Sequence, residues 1–133
     1  MKLRVVSSRK EIGDLNRNEQ IVHLAFRAAN TDVFRLMQSC PGIRMVQVPA
    51  SYRRTISRAS EMFLAIQGVQ LLEGDVWGHR KDVDEYYNID DVVFKRIDRL
   101  AASGAGRGDI ARAVSRETGL SRELVEYIIK QRL

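Results

Sequence analysis

The segment Asp109-Ile-Ala-Arg-Ala-Val-Ser-Arg-Glu-Thr-Gly-Leu-Ser-Arg-Glu-Leu-Val-Glu-Tyr-Ile-Ile129 has the pattern of two short helices joined by a tight turn. Its apolar residues recur at helical spacing on both sides of a break. At that break Gly119 can adopt the left-handed conformation that ends a helix, and Ser121 is a good N-cap for the next one. Many DNA-binding proteins present a helix to the major groove in this way. The segment therefore predicts a helix-turn-helix unit.

A further predicted helix precedes this pair. Apolar residues at helical spacing predict it over about 91–103. The glycine-rich connection 104–108 separates it from the helices predicted at about 109–117 and 122–131. The C-terminal third of the chain is therefore predicted to be a three-helix unit.

The first half of the chain contains three similar apolar runs. They begin at Ile21, Met45 and Val69, so that each starts 24 residues after the one before it. Each run is short and partly β-branched, as buried strands are, and a further strand is predicted at 3–6. Helical patterns fill the gaps at about 9–16, 31–39 and 54–67. In the last of these, the residues predicted to face the core are Ile56, Met62, Phe63 and Ile66.

Alternating strands and helices predict a parallel sheet with right-handed crossovers. The constant spacing resembles that of leucine-rich repeats, whose strand-helix units stack side by side, and a small layered α/β sheet fits the same pattern. We therefore predict an α/β fold with a small parallel β-α repeat unit over 1–78 and the three-helix, helix-turn-helix-like unit over 91–133. Residues 75–90 are polar and aromatic with no clean period, so we predict a loop there, with 79–90 as the linker between the units.

Composition excludes several classes of protein. Hydrophobic residues make up 44% of the chain, which is enough for a core and excludes wholesale disorder. The single cysteine excludes an intrachain disulfide and fits a reducing compartment. The N-terminal residues lack the apolar run of a signal peptide, and no stretch approaches the roughly 18 apolar residues of a membrane span. We therefore expect a cytoplasmic protein with no membrane partner.

The charge of the chain permits a polyanionic partner without requiring one. The net charge is +5, from 22 basic and 17 acidic residues. The candidate nucleic-acid contacts are the basic residues of the helix-turn-helix segment, which are Arg107, Arg112, Arg116, Arg122, Lys130 and Arg132. Two acids on the last helix, Glu123 and Glu126, work against phosphate contact. The predicted partner is therefore DNA or RNA, with a protein partner or a purely structural role as the alternatives, and a homodimer is compatible with the first.

A second candidate site lies where the predicted parallel strands end, because ligands gather at the carboxyl ends of such strands. Helix N-termini and arginines there suit a phosphate or another anion. The candidate anion-binding residues are Arg27, Ser51, Arg53, Arg54, Thr55, His79 and Arg80. A solvated basic loop is the alternative. The sequence contains no glycine-rich phosphate loop of familiar type.

No reaction is identified by the sequence, and the balance favours a protein that is not an enzyme. If the chain were an enzyme, we would expect His79 to act as general acid and base beside an anion held by Arg53 and Arg54. No His/Cys set has the spacing of a zinc site, so neither a metal nor another cofactor is predicted.

Four runs of the chain resemble an archaeal protein family of unknown function found mainly in methanogens. They cover 1–9, 18–27, 49–57 and 72–81, and the most distinctive is Leu72-Glu-Gly-Asp-Val-Trp-Gly-His-Arg-Lys81. The resemblance spans nearly the whole chain. It implies an archaeal cytoplasm, and it implies no activity and no catalytic residues.

Overall fold

The computed structural model describes residues 1–77, 79 and 84–132 of the 133-residue chain. Its strands are β1 (Lys2–Val6), β2 (Ile21–Leu24), β3 (Met45–Val48), β4 (Gln70–Glu73) and β5 (Tyr86–Asn88). They form one sheet in the order β4-β3-β2-β1-β5, in which β1 to β4 are parallel and β5 is antiparallel to β1. The helices are a 3-10 helix (Arg9–Asp14), α1 (Asn30–Ser39), α2 (Ala50–Arg53), α3 (Arg58–Ile66), α4 (Asp91–Ala102), α5 (Arg107–Thr118) and α6 (Arg122–Arg132).

The sheet is the middle of three layers. On one face Val22 and Val46 pack with Leu36 of α1 and Leu64 of α3. On the other face the strands pack against the C-terminal helices, and the core there includes Leu3, Met45, Leu72, Ile97, Leu124 and Ile128. Because side chains alternate along a strand, each strand supplies both cores. The predicted α/β unit followed by three helices is confirmed, and the helices cover one whole face of the sheet.

The predicted 24-residue spacing is confirmed between β2 and β3, and the spacing is one residue longer between β3 and β4. Ile21 pairs with Met45 in the register of β2 and β3, which is the predicted 24-residue spacing. Met45 pairs with Gln70 on β4, and not with Val69, so the next spacing is one residue longer. A shift of one residue moves a strand's side chains to the opposite face. Val69 accordingly packs in the core beneath α1 and α3, and Leu72 faces the C-terminal helices.

The prediction for α3 is wrong about its start and about part of its buried face. The helix begins at Arg58, because the side chain of Ser57 caps it by accepting a hydrogen bond from Ser60 N–H at 3.0 Å. Leu64 is buried, whereas Met62 and Ile66, predicted to lie in the core, are 56% and 77% exposed. The helical spacing of apolar residues did not by itself determine which side of α3 faces the core.

The loop predicted over 75–90 is wrong at Tyr86–Asn88, which forms β5. Leu3 pairs with Tyr87, and the Val5 N–H donates to Glu85 O at 2.8 Å. Three residues are too few to show a period of two, so sequence periodicity missed this strand. By contrast, the three C-terminal helices lie within about two residues of their predicted limits.

Candidate nucleic-acid interface

The turn between α5 and α6 has the geometry that its sequence predicts. Gly119 has a φ of 80° and ends α5, and its N–H donates to Ser115 O at 2.9 Å. Ser121 Oγ accepts a hydrogen bond from Leu124 N–H at 3.1 Å and so caps the first turn of α6. The Ser115 hydroxyl donates to Leu120 O at 2.6 Å and so links the last turn of α5 to the residue that follows Gly119. The two helices are therefore fixed relative to each other by local hydrogen bonds.

Helix α6 is mostly buried and leaves one stripe exposed. Five of its eleven residues are buried: Leu124, Val125, Tyr127, Ile128 and Ile129. Arg122, Glu126 and Lys130 are exposed and follow one another at four-residue intervals, which places them on one face of the helix. Arg122 lies 3.9 Å from Glu126, an ion pair of the weak kind found on helix surfaces.

The other acids near the turn are engaged within the protein. Glu123 accepts a hydrogen bond from Glu73 N–H at 2.6 Å, which ties the start of α6 to the end of β4. Glu117 accepts two hydrogen bonds from Arg96 of α4, at 3.0 and 3.2 Å. The hydrogen bond from Arg96 is the main reason that the pKa of Glu117 lies below its usual range. The charge of Glu117 is therefore balanced by Arg96, and the carboxylate of Glu123 is engaged with the backbone of β4.

The six predicted nucleic-acid contacts fall into two groups. Arg112 pairs with Asp109 at 3.4 Å. Arg132 donates to Asp98 with one nitrogen at 3.1 Å, and its guanidinium lies 5.2 Å from the centre of the Phe94 ring. Among the residues that the structure describes, Arg107, Arg116 and Lys130 form no ion pair, and Arg122 has only the 3.9 Å contact.

Arg107 and Lys130 lie together at the opposite end of the helix pair. Together with Gly108, Glu126 and Ile129 they surround a depression of about 120 Å³. Helix α5 starts there without a side-chain cap, since its N-cap is Gly106. The first N–H groups of a helix that lacks such a cap remain available to an acceptor such as a phosphate oxygen. The fold thus places the two cations Arg107 and Lys130, with the carboxylate of Glu126, around this depression.

The structure describes the surroundings of six of the seven residues predicted for the anion site. Arg53 donates to Glu61 at 2.6 Å, and Thr55 Oγ1 donates to Tyr52 O at 2.7 Å. Helix α2 has only four residues, which include Ser51, and the N–H groups of Tyr52 and Arg53 both donate to Pro49 O. Arg27 and Arg54 are exposed. Arg80 lies outside the described residues, so the site stays a prediction.

Another carboxylate of the α/β unit, that of Asp32, is also hydrogen-bonded within the protein. Asp32 is buried and accepts two hydrogen bonds from Arg9, at 2.9 and 3.0 Å, and one from Ala29 N–H at 2.8 Å. Burial alone raises the pKa of Asp32. These hydrogen bonds and the charges of Arg9 and Arg35 outweigh the effect of burial and lower the pKa of Asp32 overall.

An open depression of about 680 Å³ on α3 is lined by Ile56, Arg58, Glu61, Met62 and Ala65 and contains none of the predicted anion ligands.

His79 and Arg53 each have a different neighbour in the structure. Its ring packs edge-on against Tyr87 at 6.0 Å between centres, and Tyr87 belongs to the core on the α4–α6 side of the sheet. Arg53 pairs with Glu61 of α3, whose Leu64 packs on the other side. The arrangement expected of an enzyme, His79 beside an anion held by Arg53 and Arg54, stays a prediction.

Sequence analysis missed a buried polar contact at the junction of sheet and helices. The amide nitrogen of Gln47 on β3 donates to Nδ1 of His23 on β2 at 2.8 Å. Burial, helped by the nearby His79, lowers the pKa of His23 to about 4, so that the ring is neutral at pH 7. Gln47 Oε1 and His79 Nε2 are buried and have no hydrogen-bond partner in the described part of the chain. The only sequence signal was two polar residues inside apolar strands.

Neither a metal centre nor a membrane span is found in the described part. No group of three or more His, Cys, Asp or Glu side chains in residues 1–77, 79 and 84–132 could hold a metal ion. None of the helices described there is long and apolar enough to cross a bilayer.

Two family matches together cover most of the chain. Residues 2–85 match the N-terminal domain of a family of unknown function, DUF1699. Residues 92–130 match the C-terminal HTH domain of the same family, which coincides with α4 to α6. No curated protein matches the chain, and no solved structure matches it. The resemblance to a family of unknown function is thereby confirmed, and the archaeal source stays a prediction.

Proposed function

We propose that this chain, which belongs to the DUF1699 family, binds nucleic acid through its C-terminal helix-turn-helix unit and acts as a regulator. The observation that carries the proposal is the exposed stripe of Arg122, Glu126 and Lys130 on α6. It is the surface that a recognition helix presents to a groove. The match to an HTH domain supports the same proposal.

Each side of the helix pair has its own role in this proposal. Arg107 and Arg116 on α5 contact phosphates and fix the orientation of the unit, because they are exposed and have no ion pair in the described residues. Arg122 at the start of α6 contacts guanine, and Glu126 accepts a hydrogen bond from a cytosine amino group. Lys130, near the end of α6 and beside Arg107, contacts a third phosphate. Arg112 and Arg132 contribute less, since each already pairs with an acid of the chain.

The test is a binding titration of a labelled DNA duplex, and of an RNA of matched length, with the full chain across a salt series. Contacts to about three phosphates predict a log-log slope of about −3 for the binding constant against salt. Such a slope supports the proposal, and the comparison of DNA with RNA identifies the partner. Absence of binding at low salt would remove the proposal, because even non-specific readers bind there.

The full chain is required for this experiment. Helices α4 to α6 cover Leu3, Met45 and Leu72 of the sheet, and all three are buried. Removing the helices would expose that apolar face and unfold or aggregate the remainder. Substitutions on the α5 and α6 surfaces test the same question without this cost.

A second candidate function is self-association through the outer face of α1 and α3. Phe34, Met62 and Ile66 lie on these helices and are 50%, 56% and 77% exposed. The Phe34 and Phe63 rings are 5.4 Å apart, and Met62 and Ile66 are neighbours on one face of α3 because they are four residues apart. We propose a second copy of the chain as the partner, since helix-turn-helix readers often act as two-fold pairs. Light scattering of the wild type and of a Met62→Ser, Ile66→Ser variant checks this: the wild type should be dimeric and the variant monomeric.

A further inference from the structure

We infer that Trp77 is a stacking platform for an unstacked base, so that the nucleic acid bound by this protein carries an unpaired base beside the start of α6. The inference rests on the proposed function and names its substrate class. It starts from one unusual side chain, an exposed tryptophan at the helix-turn-helix corner.

Trp77 is exposed although it is a large apolar side chain. Its side chain is 69% accessible, and among the large apolar side chains that the structure describes only Ile66 is more exposed. A tryptophan held at the surface usually marks a contact surface, because its burial on binding removes a large apolar area from water. Trp77 is also the only tryptophan of the chain.

The ring lies at the turn between α5 and α6. A Cβ placed on Gly119 would be 3.7 Å from Cδ1 of Trp77, which is ordinary van der Waals contact. Gly119 is the left-handed residue that ends α5, so the ring lies beside the first turn of α6. This end of a recognition helix is the one that reaches base edges in helix-turn-helix complexes.

Two exposed arginines lie on either side of Gly119 in the sequence. Arg116 precedes Gly119 by three residues and Arg122 follows it by three, and both are exposed. Glu117 is held by Arg96, and Glu123 is held by the Glu73 N–H. An exposed tryptophan beside a turn that carries two exposed arginines, with the neighbouring acids engaged elsewhere, combines the aromatic platform and the basic surface that single-strand binding uses.

The geometry of nucleic acids then selects the substrate class. In a regular duplex both faces of each base are covered by its neighbours, so a protein ring has no base face to stack on. A single strand, a bulge or a flipped base exposes that face, and tryptophan is a favoured partner for it. Single-stranded DNA and RNA share this chemistry.

The experiment follows the fluorescence of Trp77 in the full chain. It is titrated with a labelled 12-nucleotide DNA strand, an RNA strand of the same sequence and the corresponding DNA duplex, while anisotropy reports binding independently. We expect either strand to quench the tryptophan, whereas the regular duplex, which offers no free base face, should leave the tryptophan fluorescence unchanged. Trp77→Ala should weaken strand binding about 10-fold or more, and Trp77→Phe should retain most of the affinity. Val92→Ala removes another exposed apolar side chain, on α4, and should change nothing.

The outcomes separate the two proposals. Binding of either strand or the duplex by anisotropy, without tryptophan quenching and with equal affinity for Trp77→Ala, would overturn the role of Trp77 and leave the helix-turn-helix proposal intact. Absence of anisotropy change with all three ligands at low salt would overturn both. Quenching by one strand only identifies whether the substrate is DNA or RNA.

Discussion

Gly74 at the end of β4 lies against Ser121, the N-cap of α6: a Cβ on Gly74 would be 2.7 Å from Ser121 Oγ. The same atom would be 2.6 Å from Gln47 Oε1. Together with the hydrogen bond from Glu73 N–H to Glu123, this contact joins the start of α6 to the sheet. The orientation of α6 is therefore determined by the α/β unit as well as by its own helical neighbours.

Gly74→Ala should destabilise the protein. No side chain fits at this position unless Gln47 or Ser121 moves, and displacing Ser121 weakens the cap of α6. We expect a loss of about 1–3 kcal/mol in the free energy of unfolding, measured by urea denaturation. Gly42→Ala is the matched control, because a Cβ there would meet nothing within 4 Å. Equal stability of Gly74→Ala and Gly42→Ala would contradict the close contact.

Stability should fall as the pH decreases from about 6.5 towards 4. His23 has a pKa of about 4 in the folded protein, whereas a histidine in the unfolded chain titrates near 6.5. Between these values the unfolded chain binds a proton that the folded protein excludes, so the stability present above pH 6.5 is progressively lost. We expect the free energy of unfolding to fall by about 2 kcal/mol between pH 7.5 and pH 5 from this residue.

His23→Gln tests the source of that decline. Its side-chain oxygen can still accept a hydrogen bond from Gln47, and it does not titrate. Urea denaturation of the variant at the two pH values should show a much smaller difference than the wild type. An unchanged difference would mean that another group causes the acid sensitivity.

Neighbouring positions on α3 should respond very differently to truncation. Leu64→Ala removes a buried side chain and should cost about 2–5 kcal/mol. Met62→Ala removes an exposed one and should stay within about 0.5 kcal/mol. Thermal denaturation at low protein concentration, which disfavours self-association, measures both. A large loss for Met62→Ala together with a small loss for Leu64→Ala would support the orientation that sequence periodicity predicted.

The buried carboxylate of Asp32 should contribute much more to stability than an exposed one. Asp32→Asn breaks the paired hydrogen bonds from Arg9, and we expect a loss of about 2 kcal/mol. Asp109→Asn removes the exposed partner of Arg112 and should cost about 0.5 kcal/mol or less. Chemical denaturation at pH 7 compares the two, and similar losses would count against a structural role for the Arg9–Asp32 pair.

Local signals predicted the C-terminal unit well. Glycine readily adopts the left-handed conformation seen at Gly119, and serine readily caps a helix as Ser121 does, so the turn could be located without tertiary information. The parallel strands were also predictable, since each is a buried apolar run. The exposure of Met62 depends on which side of α3 meets the sheet, and helical spacing does not contain that information.

The candidate anion site shows what composition alone leaves open. Arg53 is predicted as an anion ligand from its residue type and position, whereas its ion pair with Glu61 depends on how α2 and α3 meet. His23 and Gln47 lie 24 residues apart in sequence and contact each other only because β2 and β3 pair in that register. A single sequence does not show which residues that are distant along the chain contact each other.

The binding of nucleic acid by α5 and α6 is tested most directly by matched charge substitutions. The affinity of the full chain for its best-bound oligonucleotide would be compared among the wild type, an Arg107→Gln, Lys130→Gln variant and an Arg58→Gln, Lys10→Gln variant. The control removes the same charge from exposed positions outside the C-terminal unit. We predict at least about a 10-fold loss and a shallower salt dependence for the first variant only. Equal losses in both variants would contradict an interface on these helices.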